Sequence, residues 1–167
     1  MKAQIVRLFC NLELPTLVDG LLSKFLGEER FSSPRFQEKL PVLRAMYHGS
    51  KVSSRRLVVL ITETGYPVHR VMEEMEVLHL LPATYADLLY FVSHYRDKVD
   101  GPIMAFGTKI YQQEEVYEVP TADGGLGDGT EKLFYLTKIG KEAAFGGGWG
   151  YLAYPKPQAE LPAPTSK

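Results

Sequence analysis

Residues 56–81 read RLVVLITETGYPVHRVMEEMEVLHLL, and the assignment of this stretch decides how the front of the chain is built. Two apolar segments flank a turn. The first, Leu57-Val58-Val59-Leu60-Ile61, is nearly continuous and rich in β-branched residues. A run this short fits a buried strand or a short buried helix, because periodicity does not separate the two. The second follows Gly65-Tyr66-Pro67. Here Val68, Val71, Met72, Met75, Leu78 and Leu81 recur at helical spacing, while Glu73, Glu74 and Glu76 fall mostly on the opposite side. The spacing predicts a packed amphipathic helix over 68–81, ended by Pro82.

Helical spacing continues on both sides of this stretch. Leu17, Val18, Leu21, Leu22, Phe25 and Leu26 form a stripe, with Pro15 at an early helical position and Gly27 as the stop. Ser32-Ser33-Pro34 reads as a cap followed by proline in a first turn, opening a helix through Phe36, Leu40, Leu43, Ala45 and Met46 that Pro41 should kink or split. Residues 1–9 alternate loosely enough for a short edge strand. Downstream, Thr84-Tyr85-Ala86-Asp87 resembles a capping box, with Asp where Glu or Gln is usual, and the helix behind it buries Leu88, Leu89, Phe91, Val92 and Tyr95. Beyond Gly101 the pattern becomes β-rich and aromatic. PIMAFGTKIY, EVYEVPTA, KLFYLTKIG and WGYLAYPK read as four antiparallel strands, each meeting its neighbour in sequence. The expected fold is α+β. A mainly helical region, 1–100, precedes a four-stranded antiparallel sheet, 101–155, packed with it as one domain, and 156–167 is a flexible proline-rich tail.

At 167 residues, with 45% apolar and 23% charged residues, the chain resembles an ordinary globular protein rather than a disordered one. The single cysteine, Cys10, permits no internal disulfide and points to a reducing compartment. The first fifteen residues make a poor signal peptide, and no run approaches the roughly 20 apolar residues of a membrane span. The expectation is a cytoplasmic protein that does not contact a membrane.

Charge is unevenly placed. Between Arg30 and Arg56 stand Arg30, Arg35, Lys39, Arg44, Lys51, Arg55 and Arg56, with Glu38 the only acid, although the whole chain carries −1. Such a segment attracts an acidic protein face or phosphate. The second candidate surface is aromatic: Trp149 follows three glycines and is succeeded by Tyr151 and Tyr154, a set that suits stacking or docking. The candidate binding residues are therefore Arg35, Lys39, Arg44, Lys51, Arg55, Arg56, Arg70, Trp149, Tyr151 and Tyr154. They favour a non-catalytic interaction or assembly protein that docks an acidic partner or associates with itself. The first alternative is a nucleic-acid-binding protein using 30–56, and the second is a small enzyme of unidentified reaction.

Other motifs fall short of their chemistry. The turn at Gly65 and the spacing to Val71, Met75 and Leu78 resemble the turn and recognition helix of winged-helix regulators. Against that, Ile61 stands where two helices would need a small residue, and Glu73, Glu74 and Glu76 would face phosphates, leaving only His69 and Arg70 to contact DNA. Gly125-Leu126-Gly127-Asp128-Gly129 joins two expected strands rather than a strand and a helix, so it reads as a hairpin loop and not a phosphate cradle; Asp123 and Asp128 would at best hold a weak calcium ion. His48, His69, His79 and His94 lack ligand spacing, Gly-x-Ser-x-Gly is missing, and a lone Cys10 in an apolar run is ordinarily inert. No catalytic residue, metal or cofactor is assigned.

Overall fold

The structure, a computed structural model, describes residues 4–8, 16–17, 33–47, 51–52, 57–62, 65–95, 99–124 and 134–157. The strands among them are β1 (Gln4–Leu8), β2 (Thr16–Leu17), β3 (Lys51–Val52), β4 (Leu57–Ile61), β5 (Tyr66–Pro67) and β6 (Leu80–Pro82), followed by β7 (Gly101–Met104), β8 (Ile110–Gln113), β9 (Val116–Gly124), β10 (Phe134–Ile139), β11 (Ala144–Phe145) and β12 (Gly150–Pro155). The helices are α1 (Pro34–Tyr47), α2 (Val68–Val77) and α3 (Tyr85–Tyr95).

The stretch at 57–61 is a strand, and this overturns the expected division into a helical half and a four-stranded antiparallel half. One eight-stranded mixed sheet runs in the order β1-β4-β12-β7-β9-β10, with β6 also on β12 and β8 also on β9. β4 pairs antiparallel with β1 on one side and with β12 on the other, in the register Tyr151↔Leu60. β12 is parallel to β7, with Tyr151 opposite Met104, so a residue run from the far end of the sequence joins the strands of the front to those of the back. Nor does each strand meet its sequence neighbour: β10 pairs with β9, but β12 crosses to β4. Long-range pairing of this kind leaves no local periodicity to read.

The continuous apolar run of β4 follows from burial on both sides of the sheet. Leu57 and Val59 enter one core with Phe36 and Leu43 of α1, Leu88, Leu89 and Phe91 of α3, and Leu152. Val58 and Leu60 enter a second core with Val68, Val71 and Met75 of α2, together with Phe106 and Tyr151. Among the described residues, two helices therefore pack on one face and a single helix on the other.

Local signals place the helix starts. The Ser33 hydroxyl accepts from the Phe36 N–H at 3.2 Å, and the Ser33 N–H donates to the Phe134 carbonyl at 2.8 Å, tying the start of α1 to β10. Phe36 then stacks on Phe134 with ring centroids 5.6 Å apart. Pro41 lies within α1 on its exposed side, and the helix is one element rather than two. At α3, the Asp87 carboxylate accepts from the Thr84 N–H at 2.9 Å, and Thr84 Oγ1 accepts from the Asp87 N–H at 3.5 Å, which is a capping box.

The helix expected over 68–81 stops at Val77. His79 takes a left-handed backbone (φ +55°), and Leu80–Pro82 becomes β6 against β12. PIMAFGTKIY likewise divides into β7 and β8, which lie along successive parts of β9. Gly107 between them donates its N–H to the Ala83 carbonyl at 2.7 Å, where a Cβ would stand 2.6 Å from the carbonyl oxygens of both Pro82 and Ala83. Of the helix expected from Leu14, Thr16–Leu17 is instead a strand paired with Lys51–Val52, and 18–27 lie outside the described residues. The loop 125–129, Cys10, His48 and the tail from 158 also lie outside them.

Candidate functional site

Arg35, the first of the candidate binding cations, is engaged by the protein's own carboxylates, although its side chain stays 40% exposed. Its Nη2 lies 2.7 Å and its Nε 3.2 Å from the two carboxylate oxygens of Glu118 on β9, a bidentate pair, and Nη1 reaches Glu38 at 3.0 Å. The Glu118 side chain is only 5% exposed, and the Gln112 amide also donates to it. The hydrogen bonds from Arg35 pull the Glu118 carboxyl below its ordinary range against the opposing effect of burial, and the same bonds push the Arg35 guanidinium further up. The pair fastens α1 to the sheet.

Lys39 is half-buried on α1 and lies close enough to favour the ionised form of Glu118. The backbones of Arg44 and Lys51 belong to α1 and β3, but their side chains, like Arg55 and Arg56 entirely, lie outside the described residues. Arg70 is exposed on α2.

The aromatic set does not share a surface. Trp149 is half-buried against Phe145 with centroids 4.6 Å apart. Tyr151 is wholly buried, stacked on Phe106 at 5.7 Å. Among the described residues its hydroxyl has no hydrogen-bond partner, and burial raises its pKa to about 12. Tyr154 packs against the other core. Because Leu57–Ile61 is a strand, the first helix that a helix-turn-helix would need there does not form, and α2 buries Val68, Val71 and Met75.

The arrangement that sequence reasoning missed is a groove beside α2. One helix about 10–12 Å across spans two or three strands spaced about 4.8 Å apart, so α2 by itself does not span the broader sheet face. Val68, Met72, Tyr117 and Ile139 give an open groove of about 690 Å³ its apolar surface, and Glu73, Glu76, Glu115, Lys141 and His69 supply its charged and polar positions. On α2 these residues fall on one flank: Val68, His69, Met72, Glu73 and Glu76 recur at three- and four-residue steps. The sequence carried that signal, but Glu73 and Glu76 read there as a solvated face. Glu115 arrives from the turn between β8 and β9, whose shape no periodicity discloses. Its backbone is in the left-handed half of conformational space (φ +116°), where glycine is the ordinary occupant.

Aromatic rings extend the groove. Tyr117 lies 5.6 Å from Tyr111, which is 65% exposed, and meets the edge of Phe106 at 6.4 Å. The Lys109 ammonium sits 4.8 Å from the Tyr117 centroid, within cation–π range. Burial raises the Tyr117 phenol above its ordinary range. Glu76 accepts from Lys156 Nζ at 2.7 Å, which lowers its carboxyl. Among the described residues, Glu73 and Glu115 have no ion-pair partner.

Among the described residues no three His, Cys, Asp or Glu side chains gather as metal ligands, and Asp123 accepts from the Tyr135 hydroxyl at 3.1 Å. None of their helices is long and apolar enough to cross a membrane. No protein-family model matches the chain, and neither the curated proteins nor the solved structures give a match.

Proposed function

We propose that this chain is a non-catalytic interaction protein that receives apolar side chains of a protein partner in the groove beside α2. The observation that carries the reading is the open groove itself, with Met72 and Tyr117 presented at its surface and the exposed Tyr111 continuing its aromatic wall. Exposed apolar area of this kind, edged by polar groups, is what an interface core requires. Val77, 72% exposed and next in the chain to the groove residue Glu76, adds apolar area at the end of α2. Docking of an acidic partner or a nucleic acid on 30–56 rests on Lys39 and on cations outside the described residues, because Arg35 is engaged by Glu118. The groove is therefore the better-supported surface.

Peptide display on the folded protein tests this directly. Sequences with apolar anchors should be enriched, and binding of the enriched peptides should fall about tenfold or more in Met72→Ser, the range for losing one apolar contact. Enriched peptides that bind Met72→Ser as well as the parent would remove the groove from the interface.

A further inference from the structure

Resting on the groove as the docking surface, we infer that its occupant is a basic amphipathic protein segment, with apolar anchors flanked by lysine or arginine. The lining contains three carboxylates, Glu73, Glu76 and Glu115, against a single cationic side chain, Lys141. The carboxylates come from two elements, α2 and the β8–β9 turn, so they border the apolar surface from different sides. Glu73 and Glu115 make no ion pair among the described residues. Glu76 shows what such a position accepts: the Lys156 ammonium binds it at 2.7 Å. Tyr117 shows the second mode, because the Lys109 ammonium lies over its ring. The groove region thus receives ammonium groups in two ways within its own fold, and among the described residues two further carboxylates carry no ion pair.

Length separates a polypeptide from a small amine. Val68 and Glu76 are eight residues apart on α2. At about 1.5 Å per residue the lining runs roughly 12 Å along the helix, the reach of about four residues of extended chain. A segment of that length is long enough to set an apolar side chain against Met72 and Tyr117 with its neighbours toward Glu73 and Glu115. Acidic segments are disfavoured by the same charges, which supplies specificity as well as affinity.

The test uses three short labelled peptides, each with two central leucines, flanked by lysine, by glutamine or by glutamate. They are titrated by fluorescence anisotropy against the full chain, the double variant Glu73→Gln/Glu115→Gln and Met72→Ser. The lysine peptide should bind about fivefold more tightly than the glutamine peptide at low salt, the scale of two exposed charge pairs. That advantage should shrink at about 0.15 M salt and vanish in the double variant. Equal binding of the lysine and glutamine peptides, both weakened by Met72→Ser, would overturn the charge inference and leave the groove reading intact. Tightest binding of the glutamate peptide would also overturn it, in favour of Lys141 and Lys109 as the recognising groups. Binding of no peptide at any concentration would sink both readings. Melting curves of the variants confirm that any loss reflects the surface and not the fold.

Discussion

Tyr151→Phe should stabilise this protein. The Tyr151 side chain is fully buried under α2, stacked on Phe106, and among the described residues its hydroxyl has no hydrogen-bond partner. A buried polar group left unpaired costs about 1–3 kcal/mol relative to a satisfied one. Removing the oxygen keeps the ring and its stacking, and the volume lost is that of a single atom. The net gain is therefore about 1 kcal/mol, which for a chain of this size raises Tm by about 2–4 °C. Thermal and urea unfolding followed by circular dichroism would measure it, with an unchanged denaturant slope showing that the two states are the same.

Alkaline pH offers a second readout. The folded-state pKa of Tyr151 is about 12, above the value of about 10 for an exposed phenol. A group that holds its proton more tightly when folded contributes stability below pH of about 10 and loses it as pH rises toward its folded value. Tyr151→Phe removes that share of the alkaline loss, while the raised phenols of Tyr117 and Tyr135 retain theirs. A drop in Tm with Tyr151→Phe would refute the reasoning, because the hydroxyl would then have a partner worth keeping. Tyr151→Ala, by contrast, should cost about 3–5 kcal/mol through loss of the ring.

The remaining predictions concern the latch, the turn and the close approach. Glu118 is held below its ordinary carboxyl range by Arg35, so its contribution is present above the unfolded-state pKa and lost as pH falls through the folded one. Glu118→Gln should flatten the acid limb of a stability–pH curve, and an unaltered limb would show that the pair is not the source. Glu115→Gly should raise stability by about 1 kcal/mol, relieving a left-handed backbone that costs a side-chain-bearing residue about 1–3 kcal/mol; denaturant melts would check it. Gly107→Ala should destabilise strongly, because its Cβ would meet two carbonyl oxygens at 2.6 Å, by about 2 kcal/mol or more on the scale of overpacked sites. A near-neutral melt would mean that the segments at 82–83 and 105–108 separate easily.

What was legible in the sequence was short-range. Ser33 before Pro34 announced α1, and Thr84 with Asp87 announced α3, because a cap is a contact between residues three apart. The inward positions of α2, Val71 and Met75, followed from the helical period. The partners of the strands did not. Leu57–Ile61 could be read two ways, since a strand buried on both faces has no alternation, and its neighbours β1 and β12 lie far away in the sequence. Tyr151 belongs to the same class of error. Its residue type suggested a surface platform, but β12 is an inner strand, and its side chain fills a core. Arg35 read as a free cation because Glu118, 83 positions along, gives no local sign of its presence.

The position of β12 bears on how the chain is made. It lies between β4 and β7 in the middle of the sheet, yet it follows every other described strand in the sequence. Until Gly150–Pro155 has left the ribosome, β4 and β7 each present an unpaired edge, and neither core has its Tyr151 or Leu152. Folding must wait for synthesis of the closing strand and should be slow, as expected when the decisive contacts span most of the chain. A nascent or truncated chain ending before Gly150 therefore displays two sticky margins, and chaperone dependence should end abruptly once those six residues emerge.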